Sequence, residues 1–125
     1  MIYFISGHRD ITREEFKKYY EPKIQKVLKY DKDAKFVVGD YQGVDIMAQE
    51  YIVSLGFLNR ITVYHMFDKP RNLADPYIQR SGGYKDDIDR DSAMTRASDF
   101  DIAFVREGKV NSGTEQNIMR RVKFS

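Results

Sequence analysis

The sequence predicts an α/β sandwich in which helices cover a mainly parallel β-sheet. Short apolar runs alternate with longer segments whose apolar residues recur every three or four positions, which is typical of strands followed by helices. The chain has 125 residues, 42% of them hydrophobic, which is enough for one core and too few for two. The runs that we interpret as strands are Ile2–Ile5, Phe36–Val38, Ile61–His65 and Phe100–Val105.

The first strand, Ile2–Ile5, is a continuous apolar run that suits the centre of a sheet. It ends in Ser6–Asp10. A helix then begins at Thr12, because Thr12 and Glu15 have the spacing of a capping box. Pro22 removes a backbone donor inside the same pattern, so we expect it to kink or split this helix.

The second strand runs directly into a turn with two glycines, Gly39–Gly43, and then into a helix that ends before Gly56. Apolar residues recur on one face of this helix, namely Val44, Met47, Ala48, Tyr51, Ile52 and Leu55. The N–H groups of a first helical turn point outward at the positive end of the helix dipole, so the turn suits an anion, above all a phosphate. The alternative is a tight connection in which the glycines serve backbone geometry only.

A long connection follows the third strand. No periodicity holds from Phe67 to Gly83, where prolines and glycines interrupt any regular element. We interpret this segment as a lid or binding loop, with a mobile insertion as the alternative. A helix over Tyr84–Ala97 precedes the fourth strand, which leads to Arg106–Thr114 and a last helix to about Val122.

Right-handed crossovers favour the strand order 3-2-1-4. In that order the chain reverses between strands 1 and 4, and ligands of such sheets bind where the carboxyl ends of those strands part. The loops Ser6–Asp10 and Arg106–Thr114 would meet there, with Gly39–Gly43 beside them. We therefore expect the three loops to form one binding site.

Composition argues against several classes of function. The chain has no cysteine and two histidines, which leaves no basis for disulfides, thiolate chemistry or a zinc centre, and we predict neither a metal nor a cofactor. The net charge of +2 gives little support to nucleic-acid binding. Neither a long apolar run nor a signal peptide is apparent from the residues, so we expect a cytoplasmic protein with no membrane partner.

Small and charged residues flank the predicted strands in a fixed order. They are Gly7 and Arg9 after the first strand; Gly39, Gly43, Val44, Asp45 and Ala48 after the second; Arg90, Met94 and Ser98-Asp99 before the fourth; and Ser112-Gly113-Thr114-Glu115 after it. In this order the chain resembles the SLOG superfamily, which includes the lysine-decarboxylase-like LOG proteins, DprA and the YpsA-type proteins. The resemblance implies a Rossmann-like three-layer sandwich, a nucleotide ligand and a homo-oligomer.

For a LOG-like enzyme, the resemblance implies hydrolysis of a nucleoside monophosphate to free base and ribose 5-phosphate. Arg90 stands where the family has its arginine. The chain departs from the family's Pro-Gly-Gly-x-Gly-Thr-x-Glu-Glu stretch, because Asn111-Ser112 replaces the glycines and Glu115 comes one or two places early. A weaker likeness to nucleoside 2-deoxyribosyltransferases meets a similar departure, since Asn117 and Ile118 stand where those enzymes carry a nucleophilic glutamate.

Cleavage of an N-glycosidic bond requires a carboxylate near the anomeric carbon and donors that hold the phosphate. We therefore assign candidate catalytic roles to Glu115, Asp40 and Arg90. The expected ligand- and phosphate-binding residues are Ser6, Gly7, His8, Arg9, Gly39, Asp40, Gly43, Asp45, Asn111, Ser112, Gly113 and Thr114.

Several of these residues have a structural alternative. Asp45 could equally cap its helix or bind backbone amides in the first turn. Arg90 has Asp86 and Asp87 within helical reach, so its alternative is a surface ion pair. The acidic run that contains them is more typical of a solvated helix start than of a magnesium site. Tyr41 could stack on a base.

Three functions remain open from the sequence. The first is an enzyme that cleaves or transfers at the N-glycosidic bond of a nucleoside monophosphate. The second is a sensor or binding module that holds a nucleotide or nucleotide-sugar without turnover, which the displaced Glu115 favours. The third is a DprA-like binder of single-stranded nucleic acid, against which the near-neutral charge argues.

Overall fold

A five-stranded sheet forms the centre of the computed structural model, which describes residues 1–104, 117–119 and 121. Every pair of neighbouring strands in this sheet is parallel. The strands are β1 (Ile2–Ser6), β2 (Lys35–Val38), β3 (Ile61–Met66), β4 (Gln79–Tyr84) and β5 (Phe100–Ala103). The helices with bounds are α1 (Arg13–Tyr19), α2 (Glu21–Tyr30), α3 (Val44–Ser54) and α4 (Asp87–Ala97), with a short 3₁₀ turn at Leu58–Arg60. The predicted α/β class with a parallel sheet is confirmed.

The strand order is β4-β3-β2-β1-β5 and differs from the predicted 3-2-1-4. The four predicted strands keep their relative places, and β4 extends the sheet beyond β3. The prediction of a structureless connection over residues 67–83 is therefore wrong in its last part. Apolar patterning could not reveal this strand, because Gln79–Tyr84 is polar and glycine-containing and pairs with a single neighbour at the edge. Gly82 lies against the His65 imidazole, and a β-carbon there would stand 2.2 Å from its Cε1.

Helices cover both faces of the sheet. The side chains of Ile5 and Val38 point toward α1, α2 and α3 and join the larger core. Phe4 and Val37, the alternate residues of the same strands, pack with Met94 of α4 on the opposite face. The sheet is consequently buried on both faces, which explains why its central strands read as continuous apolar runs.

The predicted start and division of the first helical segment are confirmed. The Glu15 backbone N–H donates to Thr12 Oγ1 at 3.1 Å, and the Thr12 N–H donates to Glu15 Oε1 at 3.0 Å, which completes the capping box. The segment divides between Tyr19 and Glu21, immediately before Pro22. Proline is accepted in a first helical turn because its missing N–H has no intrahelical partner there.

The buried face of α3 differs from the predicted one. Val44, Ala48 and Ile52 are buried as expected, whereas Leu55 is 40% exposed. Two polar residues, Asp45 and Gln49, are buried as well. The helix therefore directs a carboxylate and an amide into the domain, toward the carboxyl ends of the strands.

The helix predicted to begin at Tyr84 begins later. Tyr84 ends β4, and Asp86 caps α4 by accepting the Asp89 N–H at 2.7 Å. The fourth predicted strand corresponds to β5, and the predicted loop Arg106–Thr114 lies outside the described residues. None of the helices in the described part of the chain has the length and apolar character needed to cross a membrane.

Candidate functional site

A cavity of about 310 Å³ opens at the carboxyl end of the sheet. The loop after β1, the turn between β2 and α3, the first turns of α4 and Asn117 form its walls. Its lining includes seven of the predicted site residues, namely Ser6, Gly7, His8, Arg9, Gly39, Asp45 and Arg90. The two predicted loops that the structure describes thus converge on one cavity, at the edge of the sheet where ligands of parallel α/β proteins bind.

The other predicted site residues lie elsewhere or outside the described residues. Asp40 and Gly43 belong to the turn after β2 but do not line the cavity. The predicted binding residues 111–114 and the candidate catalytic Glu115 are outside the described residues. Their roles stay predictions.

Glycines allow the two loops to touch. Gly43 has φ of 81°, and a β-carbon on it would stand 2.4 Å from the carbonyl oxygen of His8. The Val44 N–H donates to this same carbonyl at 3.3 Å. Gly7 meets the other side of the contact, where a β-carbon would lie 2.4 Å from Val44 Cγ2. Close packing therefore explains both glycines, which favours the geometric alternative for Gly43.

Asp45 occupies the turn that the sequence suggested for an anion. Its Oδ2 accepts the Tyr41 backbone N–H at 3.0 Å, and a β-carbon on Gly39 would stand 2.5 Å from the same oxygen. Asp45 is not the helix cap, because Gly43 holds that position. Burial raises the pKa of Asp45 to about 7, although the nearby Arg90 charge acts in the opposite direction. Asp45 can therefore gain or lose a proton near neutral pH.

Arg90 is a buried cation whose donors bind carboxylates of the protein. Its side chain is 7% exposed. Nη1 donates to Asp40 Oδ1 at 2.8 Å and lies 3.3 Å from Asp87 Oδ1. Nε and Nη2 both donate to Asp91 Oδ1, at 3.1 and 2.9 Å. Arg90 lines the cavity as predicted. It also forms ion pairs, but the guanidinium is buried and one of its partners, Asp40, lies outside its own helix.

Asp40 is held from two sides. Its carboxylate accepts the Arg71 backbone N–H at 2.7 Å and Arg71 Nη2 at 2.9 Å, in addition to Arg90 Nη1. Burial acts to raise the pKa of Asp40, but the hydrogen bonds and charge of Arg71, together with the charge of Arg90, outweigh it and lower the pKa. Asp40 consequently stays ionised behind the cavity wall, and its observed contacts are those of a structural ion pair.

The segment after β3 is tethered by α3 and the turn after β2. The Asn72 side-chain amide donates to the Asp40 carbonyl at 3.0 Å. The buried Gln49 accepts the Ala74 N–H at 2.9 Å and donates to the carbonyls of Gly39 and Asn72. No residue of the fully described segment 67–83 lines the cavity. The interpretation of this segment as a cover over the site is therefore not supported.

Tyr41 lies at the rim of the cavity with two arginines around it. The Arg71 guanidinium carbon is 4.5 Å from the centre of the Tyr41 ring. Arg9 Nη1 donates to the Tyr41 hydroxyl at 3.3 Å. Arg71 does not line the cavity, whereas Tyr41 and Arg9 do. The guanidinium of Arg71 thus supports the Tyr41 ring from outside the cavity.

No protein-family model matches the chain, and no curated protein or solved structure is significantly similar to it. Membership in the SLOG superfamily stays a prediction.

The acidic start of α4 contributes two carboxylates that sequence reasoning did not assign to the site. Asp87 and Asp91 line the cavity, together with Arg90 and Met94. A signal was available, because spacings of three and four residues place all four on one face of a helix. Within the described part of the chain, no three potential ligands form a group that could hold a metal ion.

Proposed function

We propose that this domain binds a nucleoside or nucleotide in the cavity at the carboxyl end of the sheet. One observation supports the proposal above the others, namely that the glycine-containing loops after β1 and β2 converge there around a cavity of about 310 Å³. This volume lies in the range of small-molecule sites, roughly 300–1,000 Å³. Assembly of the chain into dimers or larger oligomers is a further prediction from the family resemblance.

The lining offers a partner for each part of such a ligand. The Tyr41 ring, supported by Arg71, provides an aromatic surface on which a base can stack. Asp87 and Asp91 provide acceptors for sugar hydroxyls. Phe4 and Met94, which pack in one cluster, add apolar surface to the lining.

A specific observation favours an enzyme as the second candidate. Asp45 lines the cavity, and its pKa of about 7 suits a group that gives or takes a proton at neutral pH. Asp40 is less suited to this role, because arginines occupy its carboxylate. We therefore propose Asp45 as the general acid or base if the domain acts on the N-glycosidic bond.

Calorimetric titration with a panel of nucleosides and nucleotides tests the proposal. We expect Tyr41→Leu to weaken binding by about 1–3 kcal/mol, the usual contribution of a base stacked on an aromatic side chain. Tyr77→Leu is the matched control, because Tyr77 is 84% exposed and does not line the cavity. Failure of the wild-type domain to bind any member of the panel would refute the proposed function.

Chromatography of the same mixtures tests the enzymatic candidate. Release of free base that Asp45→Asn slows roughly 100-fold or more would support acid–base catalysis by Asp45. Binding without base release over hours would leave a binding module and exclude the enzyme. Equal rates in the wild type and in Asp45→Asn would assign the chemistry to another residue.

A further inference from the structure

Arg90, one of the two arginines that line the cavity in the described part of the chain, is already neutralised. Arg90 lies within 3.3 Å of carboxylate oxygens of Asp40, Asp87 and Asp91. These contacts engage Nε, Nη1 and Nη2, and the whole side chain is 7% exposed. A bidentate grip on a phosphate requires donors that point at the ligand. Arg90 instead directs its donors at the protein's own carboxylates.

Two backbone donors of the turn that would cradle a phosphate are also occupied. The Tyr41 N–H donates to Asp45, and the Val44 N–H donates to His8. Asp45 therefore stands where an anionic ligand group would bind this turn. Above neutral pH its own negative charge would repel such a group.

The hydroxyl of Ser6 points to an uncharged polar ligand. Ser6 is 5% exposed and lines the cavity, on the same face of β1 as Phe4. Its Oγ is buried and has no hydrogen-bond partner within the described part of the chain. Buried hydroxyls are normally hydrogen-bonded, so this group is suited to pair with a ligand hydroxyl.

We infer that the cavity selects an unphosphorylated nucleoside over the corresponding 5′-monophosphate. The inference deepens the proposed function and rests on it. The carboxylates of Asp87 and Asp91 accept hydrogen bonds from the sugar hydroxyls, and Ser6 pairs with a further polar group of the ligand. A phosphate would bring its own negative charge close to the carboxylates of Asp45, Asp87 and Asp91, and such like-charge contacts oppose binding.

The test compares each nucleoside with its 5′-monophosphate by calorimetry at pH 8 and fixed ionic strength. We expect the nucleoside to bind at least about ten-fold more tightly, because like charges in a partly desolvated site cost well over the free energy of a ten-fold change. Tighter or equal binding of the monophosphate would overturn the inference and leave the proposed function intact. Binding of neither ligand would refute both.

The variant Asp87→Asn links the preference to the cavity charge. Asp87 is half exposed, so its replacement by the isosteric amide should leave the fold in place. We expect the ratio of monophosphate affinity to nucleoside affinity to be about three- to ten-fold higher in Asp87→Asn than in the wild type. Asp89→Asn is the matched control, because it removes the same charge from the same helix at a position that does not line the cavity. An equal increase in both variants would overturn the assignment to Asp87.

Salt provides a measurement that does not depend on a variant. Ions screen charges that are partly exposed to solvent, so the preference for the nucleoside should shrink as ionic strength rises. A preference that grows with salt would contradict a repulsive origin.

Discussion

Replacement of Asp45 by Asn should remove a large part of the pH dependence of stability. Burial raises the pKa of Asp45 from 3.8 in the unfolded chain to about 7 in the fold. Between these two values the folded state binds the proton more tightly, so the associated stability is fully present below the unfolded pKa and is lost as the pH rises through 7. From pH 4.5 to pH 8 the loss should be about 3 kcal/mol, because one unit of pKa corresponds to about 1.4 kcal/mol.

Urea denaturation followed by circular dichroism measures this loss. The wild type should lose stability from pH 4.5 to pH 8, and Asp45→Asn should lose markedly less. Some dependence of the same sign should remain in the variant, because burial also raises the pKa of Asp91. The exposed Asp68 provides the control, since Asp68→Asn makes the same chemical change outside the core and should follow the wild type. If stability depended on pH equally in Asp45→Asn and in the wild type, ionisation of Asp45 would not be the cause of the loss.

Gly43→Ala should cost at least about 2 kcal/mol, because it combines a positive φ with a β-carbon 2.4 Å from the His8 carbonyl. Gly56→Ala has a similar φ in open space and should cost about 1 kcal/mol, so equal losses in urea denaturation would contradict the steric argument. Gln49→Leu should cost roughly 2–4 kcal/mol by leaving buried backbone groups unsatisfied, and hydrogen exchange should show faster exchange of the Ala74 amide. Unchanged protection of that amide would show that the tether does not hold this segment.

The elements that could be predicted are those whose environment is uniform or whose partners are close in the sequence. β1 and β2 lie inside the sheet and are covered by helices on both faces, so most of their residues are apolar and the pattern is visible locally. The capping box at Thr12 and the break before Pro22 are likewise local, because their partners lie within a few residues. Such features leave a mark in the sequence at the place where they act.

The features that could not be predicted depend on distant partners. β4 owes its extended form to pairing with β3, and its own residues carry no apolar alternation. The bond between Asp40 and Arg71 joins residues 31 positions apart, and Arg90 reaches Asp40 across 50 positions. Charge and residue type indicated that these side chains were available, but only the fold determines that they bind each other instead of a ligand.

The contacts of Arg90 also determine when its freedom of movement is lost. An arginine side chain carries about 2 kcal/mol of rotamer entropy. The hydrogen bonds to Asp40 and Asp91 remove that freedom during folding, so a ligand that enters the cavity meets a guanidinium already fixed in place. Such preorganisation reduces the entropic cost of association. Preorganisation also makes the site selective, since fixed charges in the cavity wall cannot rearrange to accommodate a ligand of the wrong charge.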